Sequence, residues 1–210
     1  LKSGRALRVK FGIDPTAPDI HLGHTVPLRK LRAFQESGHT PVLIIGDFTA
    51  TVGDPSGRSE ARKPLTEKEI DDNLKHYLVE VGKILDLDKV EVRYNSEWYK
   101  EAGTAFLYDL MSKVTVQRAL ERDDFQKRLR QEQDVSILEM IYPLLQGYDS
   151  VAVRADVEIG GTDQKFNLLT GRRIQRRFGH KEQDILTTWL IEGTDGVHKM
   201  SKSLGNYISI

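Results

Sequence analysis

The sequence contains no cysteine among its 210 residues, which excludes disulfide bonds and metal sites built from thiolates. This absence fits a reducing compartment, so we expect a cytoplasmic protein. No apolar run approaches the roughly 20 residues that a membrane-spanning helix needs, so we expect no membrane association. The chain starts at Leu1 without a basic and then apolar leader and stops at Ile210, so we interpret it as an excised fragment.

Net charge of either sign is also lacking, because 31 Lys and Arg residues balance 31 Asp and Glu residues. Charge alone therefore does not indicate a nucleic-acid partner. The sequence does have 39% hydrophobic and 30% charged residues without a low-complexity tract, which is typical of a folded globular protein. We expect one domain over residues 1–210, with room for a small inserted subdomain.

The N-terminal part of the sequence predicts a βαβ unit. Residues 9–13 predict a short strand, and the two prolines and two aspartates of residues 14–19 predict a loop after it. Apolar residues spaced three apart predict a helix over residues 22–37, ended by Gly38. The continuous apolar run at residues 41–45 is typical of a parallel strand buried on both faces.

The rest of the chain repeats this alternation of strands and helices. Helices are predicted after the capping boxes that begin at Thr66 and Ser136 and over residues 164–178, and apolar strand segments are predicted at residues 90–94, 153–159 and 185–191. Residues 96–130 are helical and heavily charged, and predict an inserted helical subdomain over about residues 96–135. The alternation predicts an α/β fold with a doubly wound parallel sheet.

Two short motifs point to phosphate chemistry. His21 and His24 follow the first predicted strand at the start of a helix, where free amides and histidine N–H groups can donate to phosphate oxygens and Gly23 allows close approach. Lys199 and Lys202 lie three residues apart in a loop of small residues, where two cations can neutralise charge on a departing pyrophosphate. Taken alone, each motif is more often a structural pair or a solvated surface.

A third candidate site is a polar stripe on one helix. Tyr142, Gln146 and Asp149 lie within about 60° of each other at 100° per residue. Ile137, Ile141, Leu144, Leu145 and Tyr148 cover roughly the opposite side of this helix. The stripe therefore faces either a site or solvent, and Pro143 is expected to kink the helix beside it.

The two phosphate motifs, His21-Leu22-Gly23-His24 and Lys199-Met200-Ser201-Lys202-Ser203, resemble the HIGH and KMSKS motifs of class I aminoacyl-tRNA synthetases. The resemblance implies a Rossmann-like domain with ATP as a substrate. It implies formation of an aminoacyl-adenylate and its transfer to the 3′ end of a tRNA. Mg²⁺ would arrive with ATP, and no protein-bound metal site is expected.

The middle of the chain resembles the bacterial tyrosine-specific members of that family. The run from Tyr142 to Asp149 resembles their Y-x-x-x-Q-x-x-D helix, Gly160 to Gln164 resembles their GGSDQ loop, and Gly53 to Arg58 resembles their GDPSGK segment. The resemblance implies L-tyrosine and tRNA(Tyr) as substrates and a homodimer joined through the inserted subdomain. The resemblance also implies an anticodon-binding region after the second motif, which we expect this fragment to lack.

Carried over by position, the resemblance implies the following roles. Asp149 would accept the substrate phenol proton, Asp54, Tyr142 and Gln146 would hold the ammonium group, and Gln164 would orient the carboxylate. Asp14, Gly23, His24, Gly161, Asp163 and Lys202 would bind ATP, with Asp163 on a ribose hydroxyl. His21, His24, Lys199 and Lys202 would be catalytic, with Thr16 near the γ-phosphate. Lys10 and Phe11 depart from the better-known bacterial form, which has a tyrosine and a cysteine there.

Three other functions stay open on the sequence alone. A tryptophan-specific enzyme is the nearest relative, because an indole N–H also pairs with a carboxylate. A nucleotidyl transferase that acts without tRNA would share the phosphate motifs but not the stripe. A noncatalytic RNA-binding relative would have broken phosphate motifs, whereas both motifs are intact in this sequence.

Basic residues lie in two groups on predicted helices, namely Arg172, Arg173, Arg176 and Arg177, and Arg118, Arg122, Lys127, Arg128 and Arg130. Such groups are more often solvated than bound to tRNA phosphates. We interpret both as solvent-exposed surfaces.

Overall fold

The computed structural model of the protein describes residues 4–56 and 65–210, and these fold around one sheet of five parallel strands. The strands are β1 (Arg8–Ile13), β2 (Thr40–Ile45), β3 (Glu91–Tyr94), β4 (Val157–Gly161) and β5 (Asp184–Thr188), in the spatial order β3-β2-β1-β4-β5. The order reverses between β1 and β4, and ligands of such sheets bind beside that point, at the carboxyl ends of the strands.

The helices are α1 (Leu22–Glu36), α2 (Glu67–Gly82), α3 (Ser96–Tyr99), α4 (Thr104–Ser112), α5 (Val116–Ala119), α6 (Asp123–Arg130), α7 (Ile137–Ala152) and α8 (Lys165–Arg177). Within the described parts of the chain, no helix is both long and apolar enough to cross a membrane. The predicted α/β fold is confirmed, because helices cover both faces of a wholly parallel sheet.

Successive side chains of each strand point to opposite faces of the sheet, and different helices pack on each face. Val9 and Phe11 of β1 join Leu28 and Leu31 of α1 and Tyr77 of α2 in the main core. Helices α7 and α8 lie on the other face and pack closely on each other, because a side chain at Gly147 would lie 3.2 Å from the Cα atom of Gly171. Helix α7 thereby runs along this face, from Tyr142 beside Asp14 after the carboxyl end of β1 to Val153 beside Arg8 at the start of β1.

Helices α3 to α6 occupy the stretch for which the sequence predicts an inserted helical subdomain. They lie between β3 and α7 along the chain. The bounds of that subdomain, about residues 96–135, stay a prediction.

Two segment predictions are wrong at their ends. The strand predicted at 153–159 begins only at Val157, because Val153 ends α7 and Arg154 takes a left-handed backbone conformation with φ of 50°. Val153 and Ala155 are apolar although they lie outside the strand, because they are buried against β2. The segment predicted at 185–191 leaves the sheet after Thr188, and Trp189 is 86% exposed.

The interpretation of the second basic group as solvent-exposed is wrong for Arg122 and Arg128, which are 3% and 2% exposed. Arg128 Nη1 donates to Glu139 Oε1 at 2.6 Å, and this pair ties α6 to the start of α7. Arg122 Nη1 donates to Asn167 Oδ1 at 2.6 Å on α8. Both arginines thus hold the helical insertion on the rest of the domain.

Replacing Arg128 with Met is expected to lower the free energy of unfolding by about 3–5 kcal/mol, because it leaves Glu139 buried without its cation. Urea unfolding followed by circular dichroism measures the loss. Arg118→Met is the matched control, since Arg118 pairs with Glu121 in solvent and its loss should change stability little. Equal losses of unfolding free energy in the two variants would show that the buried Arg128–Glu139 pair contributes no more to stability than an exposed pair.

Candidate active site

A cleft of about 490 Å³ opens at the carboxyl ends of β1, β2 and β4, a volume typical of ligand sites. Each residue that the sequence predicts for the site lines this cleft: Asp14, Thr16, His21, Gly23, His24, Asp54, Tyr142, Gln146, Asp149, Gly161, Asp163, Gln164, Lys199 and Lys202. The fold thus brings together residues from both ends and the middle of the chain. Their chemical roles stay predictions.

The two histidines cap the start of α1 and are fixed in one tautomer. The Nδ1 atom of His21 accepts from the Gly23 N–H at 3.0 Å, and that of His24 accepts from the His21 N–H at 3.2 Å. Because an accepting Nδ1 carries no proton, the proton of each neutral ring lies on Nε2. Burial, followed by the charge of Lys202, lowers the pKa of His21 to about 4.

Burial and the neighbouring His21 lower the pKa of His24 further, to about 3. Both rings are therefore neutral at pH 7 and present Nε2–H groups as donors. Gly23 serves this arrangement, because a Cβ there would lie 2.7 Å from Cε1 of His21. The close approach that Gly23 allows is thus to the His21 ring.

The second motif is held across the cleft by ion pairs and backbone pairing. Lys199 Nζ lies 2.6 Å from Asp163 Oδ2, and Lys202 Nζ lies 3.2 Å from Asp19 Oδ1 in the loop after β1. The Leu22 N–H of α1 donates to the Ile208 carbonyl at 3.0 Å. The two predicted phosphate motifs therefore face one another. Lys202 is close enough to His21 and His24 for its charge to lower their pKa values.

The deep end of the cleft contains Asp149, which is 3% exposed. Its carboxylate accepts from the indole N–H of Trp98 at 3.0 Å and from the Asn95 amide at 3.4 Å. Burial raises the pKa of Asp149 to about 6, while the charge of Lys10 and these donors oppose the rise. At pH 7 the group is ionised and has further lone pairs for a donor in the cleft.

A set of oxygen acceptors also lines the cleft. The Tyr142 hydroxyl donates to Asp14 Oδ2 at 2.9 Å, so its oxygen keeps lone pairs for another donor. Asp54 Oδ2 accepts from Gln164 Nε2 at 2.8 Å, and Oδ1 accepts from the Ser56 hydroxyl at 2.6 Å. With the Gln146 amide, these carboxylate and phenol oxygens suit a small cation such as an ammonium group.

The turn at Gly53 places Asp54 in this set. Gly53 has a φ of 88°, which a residue with a side chain rarely adopts. The resemblance to GDPSGK continues into Gly57 and Arg58, which lie outside the described residues.

The alternative that the polar stripe of α7 faces solvent is wrong, because Tyr142 and Asp149 are 6% and 3% exposed. The stripe faces the cleft. Ile137, on the side of the helix predicted to make the core contacts, is instead 71% exposed. Helix α7 is thus buried on its polar stripe as well as at Leu144 and Leu145.

Several residues at the site belong to none of the sequence motifs, and the sequence did not predict them. Thr49 Oγ1 donates to Asp14 Oδ1 at 2.8 Å, and Asn95 Nδ2 donates to Thr49 Oγ1 at 2.9 Å. With Tyr142 and Asp149, these bonds form one continuous polar chain along the floor of the cleft. Asn95 follows β3 directly, and its position at a strand's carboxyl end was the available signal.

The two departures from the family pattern lie on opposite faces of the sheet. Phe11 packs in the main core beneath α1. Lys10 points to the other face, where its ammonium lies under α7 and 2.7 Å from the Gln146 carbonyl oxygen. Neither side chain therefore reproduces the polar contact that the better-known form makes from its strand.

The family model for class I tRNA synthetases (W and Y) matches residues 2–210. The tyrosine–tRNA ligase of Oleidesulfovibrio alaskensis is 60% identical over 210 residues, which is 100% of this chain and 53% of the relative. That of Thiobacillus denitrificans is 58% identical over 210 residues, again 100% of this chain and 53% of the relative. The chain spans about half the length of the curated relatives that it matches.

Solved structures agree with the fold. The tyrosyl-tRNA synthetase of Archaeoglobus fulgidus, solved with L-tyrosine, superposes with a TM-score of 0.78 at 26% identity, covering 99% of this chain and 62% of that one. The tryptophanyl-tRNA synthetase of Campylobacter jejuni gives 0.73 at 19% identity, over 98% and 63%, and so shows the fold alone. Because the family model spans nearly the whole sequence, the chain belongs to the class I tRNA synthetases of the tryptophan and tyrosine family.

Proposed function

We propose that the protein activates L-tyrosine with ATP to give tyrosyl-adenylate and then transfers the tyrosyl group to the 3′ end of tRNA(Tyr). The observation that carries the proposal is the polarity of the cleft. One end has a buried carboxylate, Asp149, suited to a phenol proton, and the other has neutral histidine donors and two lysines suited to phosphates. Acceptors for an ammonium group lie between them.

In the first step, an oxygen of the tyrosine carboxylate attacks the α-phosphorus of ATP. A new oxygen–phosphorus bond forms while the bond from the α-phosphorus to the bridging oxygen breaks, and pyrophosphate leaves with that electron pair. The substrate supplies the nucleophile already ionised, so the protein needs no nucleophile and no strong base. Catalysis then consists of positioning and charge stabilisation.

The phosphate end supplies that stabilisation. The Nε2–H groups of His21 and His24 donate to phosphate oxygens without carrying charge. Lys199 and Lys202 balance the charge that grows on pyrophosphate, with Mg²⁺ carried in by ATP and Thr16 near the γ-phosphate. Burial lowers the pKa of Lys202, and its pairing with Asp19 opposes that effect.

The ATP nucleoside is proposed to lie beside β4. Gly161 ends that strand, and Asp163 follows it in the turn before α8. Asp163 would accept from a ribose hydroxyl and exchange its Lys199 partner for that contact. Asp14 and Gly23 would border the phosphates.

Tyrosine is favoured over tryptophan because Asp54, Tyr142 and Gln146 resemble the set of the tyrosine-specific members, and because the relatives at 58–60% identity are tyrosine–tRNA ligases. ATP–pyrophosphate exchange driven by each amino acid in turn is expected to respond to tyrosine and to exceed the response to tryptophan and phenylalanine by orders of magnitude. Exchange driven by tryptophan instead would assign the other specificity of the family. Adenylation without any amino acid dependence would indicate a nucleotidyl transferase.

The proposal includes the partners of the whole enzyme. It places a homodimer contact in the helical insertion, about residues 96–135, and tRNA(Tyr) charging in the cytoplasm. Its support is resemblance to relatives about twice as long as this chain.

A further inference from the structure

A buried ion pair lies directly behind the ammonium end of the cleft. Lys10 of β1 and Glu158 of β4 are neighbours in the parallel sheet, and they are 0% and 1% exposed. Lys10 Nζ lies 2.9 Å from Glu158 Oε1. Burying two charges costs free energy that their attraction often only just repays, so stability alone is a weak reason for such a pair.

The ammonium of Lys10 has no N–H group left for a substrate. Its three donors meet Glu158 Oε1, the Ser150 hydroxyl at 2.8 Å and the Gln146 carbonyl at 2.7 Å. The side chain therefore serves the pair and α7, although its family counterpart touches the phenol.

Glu158 in turn contacts the side chain of Gln146. Gln146 Nε2 donates to Glu158 Oε1 at 3.2 Å, while Gln146 Oε1 accepts from Asn167 Nδ2 at 3.0 Å. An ionised carboxylate only accepts hydrogen bonds, so it can face only the NH₂ end of an amide. Asn167 is itself oriented by Arg122, which only donates and so takes the Asn167 oxygen. Both neighbours of Gln146 thus specify the same amide orientation.

We propose that Lys10 and Glu158 are positioning residues for the substrate ammonium, with Glu158 turning the Gln146 oxygen toward it and Lys10 balancing the buried charge of Glu158. This inference rests on the proposed function, in which Gln146 contacts the tyrosine ammonium. If the Gln146 amide were flipped, its NH₂ group would face the substrate ammonium, and the two positively polarised groups would repel each other. The pair therefore sets the affinity for the amino group without touching the substrate.

The test compares ligands that differ at the amino group. Tyrosine and tyramine carry the ammonium, whereas hydroxyphenylpropionate keeps the phenol and the carboxylate but lacks it. Glu158→Gln leaves Asn167 to orient Gln146 without the buried carboxylate, so the Kd for tyrosine and tyramine is expected to rise about tenfold or more. The Kd for hydroxyphenylpropionate and the KM for ATP are expected to change less than about twofold, because neither ligand uses the ammonium contact.

A second variant covers the case in which Glu158→Gln leaves Lys10 too poorly compensated to fold. Lys10→Met with Glu158→Met removes both charges together, and replacing a buried ion pair by apolar side chains is commonly tolerated. It should give the same ligand selectivity. Glu182→Gln is the control for loss of one carboxylate, since Glu182 pairs with Arg172 and Arg176 instead.

Three results would overturn the inference, and the third would overturn the proposed function as well. Equal weakening of all three ligands would mean that the pair merely supports the fold, and unchanged affinities would mean that Gln146 is oriented without it. Failure of the unsubstituted protein to bind any of the three would sink the proposed function, and this inference with it.

Discussion

Replacing Asp149 with Ala is expected to reduce the preference for tyrosine over phenylalanine in kcat/KM by about 10³ or more. Phenylalanine cannot donate to the buried carboxylate and leaves it without a partner from the substrate, at a site that is only 3% exposed. Rejection of phenylalanine by about 10⁵ is known for tyrosyl-tRNA synthetases themselves. In the variant, the rate with tyrosine should fall while the rate with phenylalanine stays level or rises.

ATP–pyrophosphate exchange with each amino acid measures this ratio. Asp109→Ala removes an exposed carboxylate of α4 and should leave the ratio unchanged. Because Trp98 and Asn95 lose an acceptor, a melting curve has to accompany the kinetics. A ratio that survives the loss of Asp149 would refute its role in specificity.

The same carboxylate predicts how tyrosine binding depends on pH. The raised pKa of about 6 means that Asp149 gains a proton as the pH falls through that value, so it becomes a poorer acceptor for the phenol. Tyrosine affinity should accordingly fall below about pH 6, by up to about tenfold per pH unit. The Ala variant should lack this dependence, and calorimetric titrations at several pH values compare the two.

Replacing Lys202 with Ala is expected to lower the rate of adenylate formation by about 10² to 10³, with tyrosine affinity changed by less than about twofold. Its ammonium lies beside the loop after β1 and near both histidines, where charge on the departing pyrophosphate would develop. The loss therefore belongs to the transition state more than to the bound substrates.

Single-turnover measurement of adenylate formation, combined with equilibrium binding of tyrosine, separates these two effects. Lys89→Ala is the matched control, because Lys89 is an exposed lysine that pairs with a neighbouring surface aspartate, Asp86. Normal adenylation in the Lys202 variant would contradict the proposed role. A large loss of tyrosine affinity would instead mean that the loop supports the whole cleft.

The parts of the fold that sequence alone predicts well are those fixed by local periodicity. The first strand, helix and strand fall within about one residue of the predicted bounds, because each has its own apolar pattern and a clear stop. The predicted site residues also meet in one cleft, since the carboxyl ends of parallel strands share an edge.

The rest depends on contacts between distant segments. Nothing local distinguishes Arg118, which is exposed, from Arg128, which is buried against Glu139. The orientation of Gln146 is set by Glu158 and Asn167, whose side chains come from other elements. A sequence pattern indicates which residue types are present, whereas burial and amide orientation are properties of the assembled structure.

The polar chain on the floor of the cleft has a consequence for substrate size. Asp14, Thr49 and Asn95 connect Tyr142, proposed to hold the ammonium, to Asp149, proposed to hold the phenol. The two anchoring points are therefore parts of one hydrogen-bonded frame and cannot shift independently. In the proposed enzyme this frame fixes the distance between the ammonium contact and the phenol contact. An analogue one methylene longer or shorter could therefore make only one of the two contacts.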